Sequence, residues 1–247
     1  MKNFIPLVLL LSIFAACEDK DAQEGSLSLQ FQLTYDGEPL AMYDEQAYAD
    51  NQSIFFDRFN LFLSNGNLIK DGTENFAFDV LFLNFSDIQD KDSAEKGLEV
   101  LLTDIQAGEY TALELGIGLA PEWNATTPED YSSSHPLSNN YWSQWDSYIF
   151  TVIEGKADPD GDGMHDVALT YHIGKDENFY PRTFAMPITI EGGKTTSFQF
   201  TLDLKEVFEN AEGSLDVAAN PVDHSTKPEV YEFLMENLVE TLKLKQL

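Results

Sequence analysis

Cysteine and basic residues are scarce in this sequence, and each scarcity excludes a class of site. Among 247 residues only Cys17 carries a thiol, so the chain cannot form an internal disulfide or a cysteine-rich zinc site. The 14 Lys and Arg residues stand against 43 Asp and Glu, which gives a formal net charge of −29. Because so negative a surface repels phosphate backbones, we expect no binding to nucleic acid.

Catalytic signatures are also missing from the sequence. It contains no G-x-S-x-G nucleophile turn, no H-E-x-x-H helix, no P-loop and no dinucleotide-binding fingerprint. Acidic residues are abundant, but their spacing does not single out a pair for acid–base chemistry. We therefore expect a binding protein rather than an enzyme.

The N-terminal residues 1–16 have the pattern of a bacterial lipoprotein signal peptide. Lys2 precedes an apolar run from Phe4 to Ala16, which is too short to span a bilayer. The run ends in FAAC, which resembles a lipobox, so we expect cleavage before Cys17 and acylation of that residue; the alternative is that Cys17 is an ordinary residue of the apolar segment. Residues 17–25 are then an acidic tether, and we expect the protein to be anchored to the outer membrane, on its periplasmic face or at the cell surface.

From Ser26 onward the pattern is typical of an all-β domain. The stretch SLSLQFQLTY alternates apolar and polar residues, as a half-buried strand does. About nine such strands, separated by Gly, Pro, Asn or Asp, favour an antiparallel β-sandwich of immunoglobulin-like or Greek-key type. We predict one domain over residues 26–247. Apolar residues at helical spacing predict a terminal helix over about 228–245 that caps the sandwich.

The segment DPDGDGMHD, residues 158–166, has the spacing of a calcium-binding loop. Three aspartates alternate before a glycine that permits a sharp turn, and calcium requires six to eight oxygen ligands. The predicted ligands are the carboxylates of Asp158, Asp160, Asp162 and Asp166 and the carbonyl of Met164. An EF-hand would have glutamate at the twelfth position, but here that residue is Leu169. The loop joins two predicted strands, so we expect a structural calcium ion; the alternative is a plain acidic turn.

The segment HPLSNNYWSQWDSYIF, residues 135–150, concentrates two of the three tryptophans and one of the four histidines. One interpretation is ordinary packing, since aromatic side chains dominate buried surface. Another is that Tyr141, Trp142 and Trp145 form an exposed platform on which a sugar or a protein partner would stack.

Several short motifs resemble those of the MbnP-like family of bacterial copper-binding proteins, which are periplasmic or lipid-anchored. They are FDRFNLFLSNGNLI, GIGLAP, HPL, YWSQW, YIFTVIEG and YHIG. The resemblance spreads over most of residues 26–242. It implies a β-sandwich in which histidines hold copper together with kynurenine, an oxidised tryptophan that a dihaem partner protein produces.

Carried onto this sequence, the resemblance implies His135 and His172 as copper ligands and His224 as an additional one. Trp142 or Trp145 would be the modified residue. Many relatives have a histidine after the asparagine that follows the glycine-rich turn, whereas this chain has Ala125 there. We therefore expect a lipid-anchored envelope protein that handles copper and carries a structural calcium loop; the alternative is a glycan- or protein-binding module without a redox metal.

Overall fold

The computed structural model describes residues 23–49 and 51–247. The predicted signal peptide and the lipidation of Cys17 lie outside the described residues. Within them, no helix is long and apolar enough to cross a membrane.

The described chain is dominated by β-strands, with four short α-helices. The strands are β1 (Glu24–Tyr35), β2 (Glu38–Pro39), β3 (Gln46–Tyr48), β4 (Gln52–Lys70), β5 (Thr73–Asn84), β6 (Leu98–Gln106), β7 (Gly108–Ile117), β8 (Tyr141–Trp142), β9 (Ser147–Asp158), β10 (Val167–Gly174), β11 (Tyr180–Ile190), β12 (Thr195–Asp203), β13 (Glu209–Asn210), β14 (Gly213–Ser214), β15 (Val222–Asp223) and β16 (Lys243–Gln246). The helices are α1 (Lys91–Lys96), α2 (Pro121–Asn124), α3 (Leu204–Phe208) and α4 (Pro228–Thr241).

These strands form two main sheets that pack face to face as a sandwich. The smaller sheet has the order β16-β12-β1-β2, with β6 also paired to β1. The larger has the order β11-β7-β4-β9-β10-β15, with β3 and β5 paired to β4 and β8 paired to β9. The all-β class and the C-terminal helix are thus confirmed. Most pairs are antiparallel as predicted, but β1–β12 and β10–β15 are parallel, because each joins segments that are distant in the chain and need no hairpin between them.

The main core lies between the two sheets. The predicted apolar face of β1 is buried there, with Leu27 and Leu29 fully inaccessible. Helix α3 adds Phe208, whose ring lies 5.4 Å from Phe56 and 5.6 Å from Tyr171 between ring centroids. Aromatic contacts at these distances are favourable beyond the area that they bury.

Helix α4 packs against this core and ends before the predicted boundary. Its buried side chains are Val230, Leu234, Met235, Leu238 and Thr241, at the spacing of one helical face. Leu242 has extended dihedral angles, φ −67° and ψ 111°. The four residues that follow form β16 on the edge of β12, so strand pairing replaces the last helical turn that local pattern favours.

A second, smaller core lies on the outer face of the large sheet. Successive side chains of a strand point to opposite faces of the sheet. Leu61 and Leu63 of β4 belong to the main core, so Phe62 between them points to the outer face. The chain between β7 and β9 folds over this outer face and covers Phe62, Tyr148 and Phe150. It starts at Gly118, whose φ of +91° is readily adopted only by glycine. This covering segment carries the tryptophans of residues 135–150.

Candidate metal centre

Two histidines and a tryptophan that are distant in sequence meet on the outer face of the large sheet. The rings of His172 and His224 are stacked, with centroids 4.9 Å apart and planes at 8°. The indole of Trp142 lies 5.0 Å from His224 and 5.7 Å from His172 between ring centroids. All three side chains are partly buried.

Strand pairing explains why the two imidazoles are adjacent. Strand β15 runs parallel to β10, with Thr170 opposite Val222 and Tyr171 opposite Asp223. The next residue of each segment is a histidine, so His172 of β10 and His224, directly after β15, lie side by side. Side chains at corresponding positions of paired strands project from the same face.

Trp142 reaches the histidines from a tight turn that closes over β9. Trp142 of β8 pairs with Ser147 of β9, and the amide of Trp145 donates to the Trp142 carbonyl at 2.9 Å. This turn stacks the two indoles, with centroids 4.8 Å apart and planes at 11°. Trp145 is farther from His224, at 6.5 Å, and the ammonium of Lys175 lies 5.8 Å from its ring centroid.

One nitrogen of each imidazole is buried without a hydrogen-bond partner. On His172 the orphan atom is Nδ1, because Nε2 lies 2.6 Å from Oε1 of Glu154. On His224 the orphan atom is Nε2. Buried polar atoms are usually hydrogen-bonded in native proteins, so these two nitrogens on neighbouring rings are available to bind a ligand. An imidazole nitrogen with a free lone pair is a common metal ligand.

The electrostatics of His224 favour the neutral form that a metal ligand requires. Burial lowers the pKa of its imidazole, and the neighbouring His172 lowers it further, although Asp223 and Glu154 act in the opposite direction. At neutral pH His224 is therefore uncharged, with one ring nitrogen free to accept a bond.

The structure does not bring His135 into this group of rings. Its imidazole stacks on Tyr131, with centroids 4.2 Å apart and planes at 10°. Its Nδ1 accepts the amide of Leu137 at 3.1 Å, at the start of the short 3-10 turn Pro136–Ser138. The family resemblance implied His135 as a copper ligand together with His172, but this turn directs its imidazole toward Tyr131 instead.

The predicted aromatic platform is largely engaged within the molecule. The hydroxyl of Tyr141 donates to Asp146 at 2.6 Å, and this hydrogen bond raises the pKa of Tyr141 to about 12. The indoles of Trp142 and Trp145 are partly buried and face each other. The surface they offer together is therefore much smaller than that of three separate rings.

The acidic loop gathers three of its five predicted calcium ligands. Carboxylate oxygens of Asp158, Asp160 and Asp162 lie within 4.8 Å of one another, and among the residues that the structure describes this is the one such group of three or more acidic, histidine or cysteine side chains. The amide of Asp162 lowers the pKa of Asp160, but the nearby carboxylates of Asp162 and Asp158 outweigh it, so the net shift is upward. The side chain of Asp166 is outside the group, and the Met164 carbonyl accepts the Asp166 amide at 2.9 Å.

Sequence reasoning missed the acidic and basic residues that support His172. Glu154 contacts His172 on one side, and the guanidinium of Arg58 lies 3.6 Å from the same carboxylate oxygen. Alternation within YIFTVIEG places Glu154 on the face opposite Ile153, so its orientation could have been predicted from the sequence. The register that brings Glu154 to His172 could not, because it depends on the pairing of three strands.

Comparison with known proteins gives a family and a fold. A family model described as MbnP matches residues 24–227. Among solved structures, MbnP from Methylosinus trichosporium matches with a TM-score of 0.54 at 15% sequence identity, over 91% of this chain and 99% of that chain. No sequence among the curated proteins matches. At so low an identity the structural match supports the fold, while the family match covers most of the described chain.

Proposed function

The chain belongs to the MbnP family, and from that membership we propose that it binds copper through His172 and His224. The observation that carries the proposal is the pair of buried imidazole nitrogens without partners, on rings 4.9 Å apart. Imidazole suits copper, which stands at the top of the affinity order of divalent first-row metals.

The donor set fits copper in type but needs completion. Both rings are parallel within 8°, and the lone pair of an imidazole nitrogen lies in the ring plane, so one ring must turn for both to bind one ion. Trp142 is the nearest candidate for a further donor, because it approaches both imidazoles more closely than Trp145 approaches His224. If a dihaem partner oxidises it to kynurenine, as the family resemblance implies, the new amine and carbonyl groups are additional donors.

We place this site on a lipid-anchored protein of the outer membrane. The proposal rests on the lipobox-like FAAC before Cys17 and on the short acidic tether that follows it. Strand β1 begins at Glu24, within the last residues of the predicted tether and seven residues after Cys17. An acylated Cys17 would therefore hold the copper site within a short distance of the membrane surface.

Elemental analysis of the mature protein tests the copper proposal. We would purify residues 17–247 with Cys17→Ser, equilibrate the protein with equal concentrations of copper and zinc, remove free metal and measure both elements. We expect copper to be retained in excess of zinc, in line with their affinity order. Retention of neither metal would overturn the proposal, and saturable binding of a glycan or protein partner in that case would favour the alternative function.

We also propose that the loop 158–166 binds calcium in a structural role. The clustering of three carboxylates within 4.8 Å supports it, because hard oxygen ligands suit calcium. Gly161 and Gly163 have φ of +71° and +89°, which allows the tight turn. The loop connects β9 to β10, so a bound ion would brace the strands that carry Glu154 and His172.

Calcium is expected to raise the thermal stability of the protein. A free concentration 100 times the dissociation constant adds about 2.7 kcal/mol to the free energy of unfolding, which for a domain of this size raises Tm by roughly 5–10 °C. Differential scanning calorimetry with calcium and with EGTA measures the shift. The shift should vanish in Asp160→Asn/Asp162→Asn and persist in Asp71→Asn, a change at an exposed turn outside the loop. A wild-type Tm that does not respond to calcium would contradict the proposal.

A further inference from the structure

We propose that Glu154 fixes the tautomer of His172 and thereby leaves Nδ1 as the nitrogen offered to the metal. This inference rests on the proposed copper site and assigns a positioning role to a residue outside the ligand set. Oε1 of Glu154 lies 2.6 Å from Nε2 of His172. A carboxylate oxygen accepts hydrogen bonds, so Nε2 is the donor in this contact and Nδ1, which has no partner, is the nitrogen that faces a metal.

The pairing of β9 with β10 sets this contact. Glu154 lies opposite Thr170, and His172 lies opposite Val152, so the carboxylate and the imidazole are diagonal neighbours on the outer face. Diagonal neighbours of this kind are within reach of long side chains. The geometry of the sheet therefore presents Glu154 to Nε2 whether or not a metal is bound.

A polar network on the other side holds Glu154 in place. Glu154 also lies opposite Arg58 across the β4–β9 pair, and their charged groups are 3.6 Å apart. In the orientation that satisfies its amide, Asn60 accepts from Nε of Arg58 at 3.0 Å and donates to Oδ1 of Asn84 at 2.8 Å. The carboxylate is thus held between a guanidinium and an imidazole, and a chain of contacts connects β5, β4, β9 and β10.

The two imidazoles consequently have different freedom. His172 is oriented through Nε2, whereas Nε2 of His224 has no partner in the described part of the chain. One ring must turn so that both nitrogens reach the same ion. The ring of His224 can do so, because no hydrogen bond comparable to that between His172 and Glu154 restrains it. His172 is therefore the fixed ligand of the pair and His224 the adjustable one.

The test combines a metal-free measurement with a copper titration. In metal-free protein labelled with 15N, long-range 1H–15N correlation reads the tautomer of His172 directly. We expect only the Nε2–H form in the wild type and a mixture with the Nδ1–H form in Glu154→Ala. Orienting carboxylates of metal-bound histidines contribute roughly 10–100-fold to metal affinity, so Glu154→Ala should weaken copper binding by that factor. Glu154→Gln, which keeps an acceptor oxygen, should recover part of both effects.

Glu114→Ala is the matched control, since Glu114 is a partly exposed glutamate of the same sheet that bonds to Thr183 at 2.9 Å. It should change neither the tautomer of His172 nor the copper affinity. An unchanged tautomer in Glu154→Ala, or unchanged copper affinity with a shifted tautomer, would overturn the positioning role. If the wild type binds no copper but the tautomer shifts in Glu154→Ala, the copper function fails while the control of His172 by Glu154 is upheld.

Discussion

Replacing His172 and His224 together with alanine is expected to reduce the copper retained by the protein to background. Each imidazole supplies a buried nitrogen that lacks a partner. Beside them lie the indole of Trp142 and the carboxylate of Glu154, which also contacts Arg58. Soft and borderline metals bind imidazole far better than a neutral indole ring. The measurement is copper per chain after equilibration and desalting, with each single variant alongside the double.

The other two histidines of the chain provide a control of the same size. His135 stacks on Tyr131, and His165 contacts Oγ of Ser53 at 2.9 Å, so neither belongs to the stacked pair. The double variant His135→Ala/His165→Ala should therefore keep its copper. Copper lost from this control but retained by the first variant would move the site to the segment around residue 135. Melting curves of both variants exclude global unfolding as the cause.

The sequence named the histidines and tryptophans that meet in this group of rings, but not their arrangement. Between His172 and His224 the chain forms β11, β12, α3, β13 and β14. The two histidines meet because the two-residue strand β15 pairs in parallel with β10. So short a strand has no periodic signature that could be read. His135, in contrast, lies beside the tryptophans in the sequence, yet the turn Pro136–Ser138 places its ring against Tyr131.

The fold was easier to predict from the sequence than the site, because its strands have strong local patterns of alternating apolar and polar residues. The alternation of residues 26–35 corresponds to β1 and to its buried face. At the C-terminus the helix predicted to about residue 245 ends at Thr241, because Lys243–Gln246 lie at the edge of β12 and pair with it. Local propensity is a weak preference that tertiary pairing overrides. The same reasoning explains why the parallel pairing of β1 with β12 was not foreseen.

Phe208→Ala is expected to cost about 3–5 kcal/mol in the free energy of unfolding, as is usual for truncating a core phenylalanine. Its ring is fully buried and contacts three others, those of Tyr48, Phe56 and Tyr171, at centroid distances of 6.3, 5.4 and 5.6 Å. These rings come from three different strands of the large sheet, β3, β4 and β10, so no single neighbour can move to fill the space. Urea denaturation monitored by tryptophan fluorescence measures the change.

Phe76→Ala is the matched control, because this phenylalanine in β5 is 67% exposed and truncating it should change the free energy of unfolding by no more than about 0.5 kcal/mol. A loss below about 1 kcal/mol for Phe208→Ala would contradict the packing described for this core. Tyr171, which Phe208 supports, directly precedes His172 but points to the opposite face of β10. Phe208→Ala should therefore retain copper at temperatures where it is folded, whereas the double histidine variant should remain stable and lose the metal, so the two experiments separate the core from the site.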